Sequence, residues 1–352
     1  MEITIMIPTK NRPEFILRLL AYYSEAGFQG TIMVGDSSNS SDYIKSSNYI
    51  STYSKSLRIE HYYDQSLTAD KMISFLSGKV ITEFSLMHPD DDIVLVPSLQ
   101  YCLNFLNKNS EYSAVNGLAF NTGINYNQYT PFGKVTLIKD YPLSSSLADD
   151  SFERINDYFS NILNLNMSVI RAAINLKAFS AIEQLNDFDS TFVYGEVIHA
   201  SVILARGKVK TIDYPYLVRQ KHPSQFYRSV RFDDWLKRSD PSASAITLKE
   251  TLLHELINTS ELDDSLLSTK IDELILGLGE RTKAKVMAKS NECDFRYTMS
   301  KIYSVLRGLS NRGKRLFIKN RRYDYFDGKK YSKETKDALK LYFDVVNNTD
   351  LC

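Results

Sequence analysis

No apolar run in this chain reaches the ~18 residues that a membrane-spanning helix requires. A protein that crosses a membrane by such a helix is therefore not expected. Cysteine is scarce: Cys102, Cys293 and Cys352 are far apart and odd in number. They offer neither a metal-type spacing nor a disulfide framework, which fits a reducing cytosol. The apolar opening Met1–Ile7 is stopped by Pro8 and is too short for a signal peptide. Internal repeats and low-complexity tracts are absent. Net charge is nearly absent too, at +1 over 352 residues, although its distribution is uneven. The apolar and charged fractions that remain are those of a globular protein, with enough chain for one large or two medium domains.

The first third alternates strand and helix signals. Glu2–Ile7 is apolar and β-branched, and Glu14–Tyr23 carries Phe15, Ile16, Leu19, Leu20 and Tyr23 at helical spacing behind Pro13. A second strand, Gly30–Val34, closes in Gly35-Asp36-Ser37-Ser38. Leu57–Tyr63 reads as a third strand, Asp70–Ser77 as a helix, and Phe84–Met87 as a fourth strand. A helix with Leu99, Leu103 and Leu106 follows Pro97. Repeated βα units predict a parallel, doubly wound α/β sheet whose strand ends share one edge. Further on, Phe152–Leu163 reads as a helix, and a helix running through Leu204 is capped by Gly207. Val209–Ile212 reads as a strand that Tyr214-Pro215 ends. Ser239–Ala245 is linker-like. Helices are then expected over Thr247–Ile257, Leu266–Leu278 and Asp294–Leu309.

The run Asp90-Asp91-Asp92 stands immediately after the fourth strand. Carboxylates this close repel one another, and a desolvated one has its pKa raised. A hard divalent cation, Mg2+ or Mn2+, relieves that repulsion and leaves sites open for phosphates. In open α/β sheets ligands bind beyond the carboxyl ends of the strands. The bland alternative is a solvated acidic turn.

Pro8-Thr9-Lys10-Asn11-Arg12-Pro13, Gly35-Asp36-Ser37-Ser38 and Asp90-Asp91-Asp92 follow successive strands in order. Downstream stand Gly195-Glu196, Arg206-Gly207-Lys208-Val209 and Tyr214 to His222. This set resembles the GT-A glycosyltransferases of family two, and within it the bacterial branch opening with "PTKNRP". The likeness covers roughly residues 1–226. It implies a GT-A domain over 1–226, with a nucleotide-binding half (1–118) and an acceptor half (119–226). A mainly helical C-terminal region (227–352) follows. The resemblance implies that Pro8, Thr9, Asn11, Arg12, Asp36, Lys71, Asp90 and Asp91 line a nucleotide-sugar site. Asp92 and Asp90, with His222, would meet a Mn2+ or Mg2+ ion, Asp92 most directly. Glu196 would be the general base of an inverting transfer onto a glycan or lipid-linked glycan hydroxyl. Many relatives carry an acidic pair where Val197 follows Glu196, and Asp187 and Asp189 upstream stand as alternatives.

Between Lys301 and Lys330 basic residues dominate, interleaved with Leu316, Phe317, Ile318, Tyr323, Tyr325 and Phe326. Such a segment suits the surface of an anionic membrane, or a solvated helix face. The expected location is the cytoplasm, with peripheral contact at the inner face of the membrane. No recognised nucleic-acid module accompanies the charge, so nucleic acid is not an expected partner. Two rivals remain. A nucleotidyltransferase would need a Gly-rich loop after the first strand, and that loop holds no glycine. A non-catalytic glycan- or membrane-binding protein could keep the fold and lose the chemistry.

Overall fold

The computed structural model describes residues 1–125, 134–141, 143–161, 165, 167–183, 195–221, 241–277 and 332–348. Its first half runs β1 (Ile3–Thr9), α1 (Pro13–Glu25), β2 (Thr31–Asp36), α2 (Ser40–Tyr53), β3 (Arg58–Tyr63), α3 (Ala69–Ser77) and β4 (Phe84–Met87). Next come β5 (Ile93–Val94), α4 (Val96–Lys108), β6 (Tyr112–Asn125), β7 (Lys134–Tyr141), α5 (Ser151–Asn161) and β8 (Val169–Arg171). The remainder is α6 (Ala172–Ile182), α7 (Glu196–Arg206), β9 (Lys208–Lys221), α8 (Pro241–Leu256), α9 (264–277) and α10 (Lys333–Asn348).

One sheet joins the strands in the order β3-β2-β1-β4-β8-β6-β9-β5, with β7 paired to β6. The β1, β2, β3 and β4 pairings are parallel, while β8 runs antiparallel to both its neighbours. The sheet is therefore mostly parallel and wound on both faces. Period-two alternation along β1 and β2 divides the core between those faces. Ile3, Ile5, Ile7, Ile32 and Val34 pack with α1, α4 and α10. Met6 and Met33 pack on the other face with α3 and α5 to α9.

The local elements of the first third fall where hydrophobic periodicity predicts them. Several others differ. Helix α2 was not foreseen, because its serine-rich sequence buries only Ser46 and Ile50. Pro215 does not end a strand: β9 continues to Lys221, and register shifts around Leu118 loop out the residues before the proline. Pro215 thus sits at an irregularity, where its missing donor is tolerated. Gly207 does close α7, but in extended backbone (φ 165°) rather than a left-handed cap. Pro241 opens α8 from within the stretch read as a linker. The helix expected over Asp294–Leu309 lies outside the described residues. Leu339, Tyr342 and Val346 of α10 are fully buried in the same core as β1 and α1.

Candidate functional site

The parallel register brings Thr9, Asp36 and Tyr63 level with one another at the carboxyl ends of β1, β2 and β3. Gly35 lets α3 close over this edge, since a Cβ there would lie 2.5 Å from Cγ of Met72. Pro8 lies opposite Gly35, beyond the last pairing with β4, where no ladder bond from its nitrogen is needed.

The loop after β1 is turned by Asn11, whose backbone is left-handed (φ 56°), a region asparagine enters more readily than most residues. The Asn11 amide donates to Ser38 Oγ (2.7 Å), and its Oδ1 accepts from the Asn39 amide (2.8 Å). Asn11 therefore ties the first loop to the second and delivers Arg12 to the acidic run. Arg12 forks onto Asp90: Nε donates to Oδ2 at 3.1 Å and the terminal nitrogen to Oδ1. Its other nitrogen stands 3.5 Å from Asp91. Thr9 Oγ1 adds a donor to Asp90 Oδ2 at 2.7 Å. Both Asp90 oxygens are thus engaged.

Asp92 is buried on the opposite side of the turn. Its Oδ1 accepts the Gln220 amide at 3.0 Å, and Arg219 Nε lies 3.3 Å from Oδ2. Arg219 in turn donates to the Tyr141 hydroxyl at 2.8 Å. Beneath the turn, fully buried Arg18 donates to the carbonyls of Asp90 (3.3 Å) and Asp91 (3.2 Å). Three guanidiniums thus meet the three-carboxylate run and supply positive charge to it besides any cation. Burial pushes the Asp90 and Asp92 carboxyls up. Arg12 opposes this at Asp90, while Asp91 adds to it at Asp92 against Arg219 and the Gln220 amide. His88 is buried and neutral, its pKa lowered to about 4 by burial. With Nδ1 donating to the Pro89 carbonyl at 2.8 Å, its Nε2 accepts from the Tyr23 hydroxyl at 2.7 Å.

Asp36 is fully buried, and its Oδ1 accepts the Ser38 amide at 2.8 Å. Its Oδ2 accepts no hydrogen bond; His61 Nε2 stands 3.5 Å away. Burial alone would raise this carboxyl, but His61 and Ser38 outweigh it and hold the pKa below the ordinary value. Tyr43 stacks on Tyr63 with ring centroids 3.9 Å apart and lies 5.2 Å from the His61 ring.

Lys71 is exposed on the first turn of α3. Glu196 is exposed on the first turn of α7. Burial pushes the Tyr141 phenol up, Arg219 pulls against it, and the charges of Glu196 and Asp92 add smaller upward pushes. Among the described residues no three His, Cys, Asp or Glu side chains converge as a metal's ligand set. His222, Asp187 and Asp189 lie outside the described residues, as does the basic segment 301–330.

No family model and no curated sequence matches this chain. Solved structures do. TarS 1–349 of S. aureus superposes with a TM-score of 0.51 at 12% identity, over 79% of this chain and 70% of that one. The same protein in complex with UDP-GlcNAc gives 0.50 at 13% identity, over 78% and 70%. The chain has a GT-A-like fold. In this GT-A-like frame the loops after β1, β2 and β4 form one edge with β9, and Arg18, Arg219, Gln220, Tyr141 and His61 join the residues singled out from sequence. One signal for Arg18 was available: it interrupts an apolar helical stretch, where a buried charge demands partners. The partners themselves lie far off in sequence.

Proposed function

We propose that the chain is a metal-dependent, inverting glycosyltransferase. It would move a sugar from a nucleotide-sugar donor to a glycan or lipid-linked glycan hydroxyl, in synthesis of a bacterial surface polysaccharide or glycoconjugate. The observation that carries this reading is the convergence of Asp36, the Thr9–Arg12 loop and the Asp90–Asp92 turn at one sheet edge. The similar TarS structure in complex with UDP-GlcNAc supports a nucleotide-sugar as the ligand.

In this reading Asp36 belongs to the nucleotide edge through the loop it orders, its Oδ1 holding the Ser38 amide, and the Tyr43–Tyr63 stack offers the base a flat aromatic face. Arg12 and Lys71 bring positive charge to the diphosphate side. Asp92 and Asp91 would hold a Mn2+ or Mg2+ ion. The fit is one of donor chemistry: they are hard oxygen ligands, and a carboxylate has lone pairs left after the contacts Asp92 makes. When bound, such an ion offsets charge developing on the leaving diphosphate. Asp90, engaged by Arg12 and Thr9, shapes the turn. Glu196 removes the acceptor hydroxyl's proton as the bond forms. One base with no covalent nucleophile inverts the anomeric centre, by the logic that separates inverting from retaining hydrolases.

Among the described residues no helix is long and apolar enough to cross a membrane. Contact with an anionic inner membrane face through segment 301–330 completes the proposal, with no nucleic acid partner. A panel of nucleotide-sugars tests it: release of nucleoside diphosphate from one donor, stimulated by Mn2+ or Mg2+ and by a glycan acceptor, is expected. A chain that releases none across the panel is the non-catalytic binder instead.

A further inference from the structure

A buried polar chain links the C-terminal helix to the acidic turn. The Tyr342 hydroxyl on α10 accepts from Gln220 Nε2 at 3.1 Å and pairs with Thr122 Oγ1 at 3.0 Å. Thr122 Oγ1 directs its proton to the Arg219 carbonyl (3.3 Å), which leaves Tyr342 as donor to Thr122. Gln220 Oε1 accepts from Arg18, whose other terminal nitrogen holds the Asp90 and Asp91 carbonyls. The Gln220 backbone amide holds Asp92. Gln220 therefore meets the turn through both its side chain and its backbone, and Tyr342 orients the side chain. Tyr342, Gln220 and Arg18 are each 0% exposed, and Thr122 is 1% exposed. Water cannot replace a lost partner at such depth without rearrangement, and an unmet donor there is costly.

We propose that Tyr342 is a positioning residue for the donor site, acting through Gln220 and Arg18 to fix the Asp90–Asp92 turn. This rests on the reading of that turn as part of the donor site. Seating of α10 on the sheet would thereby set the geometry that receives the leaving diphosphate, from more than two hundred residues along the chain. The hydroxyl carries the effect, distinct from the packing of the ring.

Hydrogen exchange on the full chain without nucleotide tests this. Tyr342→Phe keeps the ring and removes the hydroxyl. Exchange in peptides covering Asp90–Asp92 is expected to rise about fivefold or more, in line with loss of the two buried hydrogen bonds of the hydroxyl. Thr122→Val should act similarly and Thr122→Ser should not. Val346→Ala, which opens a gap on the same helix outside the network, should lower stability while leaving the turn's protection relative to the rest of the fold. An unchanged turn in Tyr342→Phe, or an equal loosening in Val346→Ala, overturns the proposal. In parallel, UDP or GDP with Mn2+ should bind Tyr342→Phe about fivefold more weakly than the parent chain. If the parent chain binds neither nucleotide the donor-site reading falls, and the exchange data still decide the positioning role.

Discussion

Asp90 and Asp92 are separated by one residue yet sit in different surroundings. Asp90 is clamped on both oxygens by Arg12 and Thr9. Asp92 keeps one contact per oxygen, from Arg219 and the Gln220 amide. The residue types at these loops were legible in sequence, because a carboxylate run after an apolar strand is a local pattern. Their partners were not: Arg18 meets Gln220 across 202 positions, and Arg219 meets Asp92 across 127. Charge compensation by arginine is a tertiary property that no local window contains. Glu196→Gln removes the proposed base and keeps the shape, so donor KM should change little while kcat falls roughly 10²- to 10⁴-fold. Steady-state kinetics on the donor found by the panel would show it, and retained turnover would move the base elsewhere.

Helices α1, α3 and α4 followed from hydrophobic periodicity, since each buries one face, and strands β1, β2 and β4 from short apolar runs buried on both sides. Elements held by context were harder to read. Strands β5 and β8 are two and three residues long, too short to carry a pattern. Strand β9 passes through Pro215 only because its register with β6 shifts on either side of Leu118. Gly117 is the partner that permits this. A Cβ there would lie 2.5 Å from the Tyr214 carbonyl oxygen and 2.8 Å from Tyr216 Cβ. Backbone cannot yield as a flexible side chain does, so Gly117→Ala should cost about 1–3 kcal/mol. Urea denaturation would measure it. Because β9 carries Arg219 and Gln220, the same change should also weaken nucleotide binding.

Across the whole molecule, the two faces of the sheet are covered by different helices, and the second face holds a buried titratable group. His199 on α7 is buried, donates to Asn175 Oδ1 at 2.9 Å and packs 4.6 Å from the Phe179 ring. Burial lowers its pKa from 6.5 to about 4. The unfolded chain takes up this proton from about pH 6.5 downward, and the folded chain does not until about pH 4. The associated stability is complete above that window and drains away as pH falls through it, on the order of 3 kcal/mol. His199→Gln should flatten the loss of stability between pH 7 and pH 4.5, as read by denaturant midpoints. An identical slope in the variant would show that His199 does not carry this pH dependence.

The edge formed by Asp36, Arg12 and Asp90–Asp92 is proposed to receive a nucleoside diphosphate with a divalent cation. Isothermal titration of UDP and GDP, with and without Mn2+, tests this. One of the two should bind, Mn2+ should strengthen binding about tenfold or more, and Asp92→Ala should erase that gain. No binding of either nucleotide, or binding indifferent both to Mn2+ and to Asp92→Ala, would contradict it.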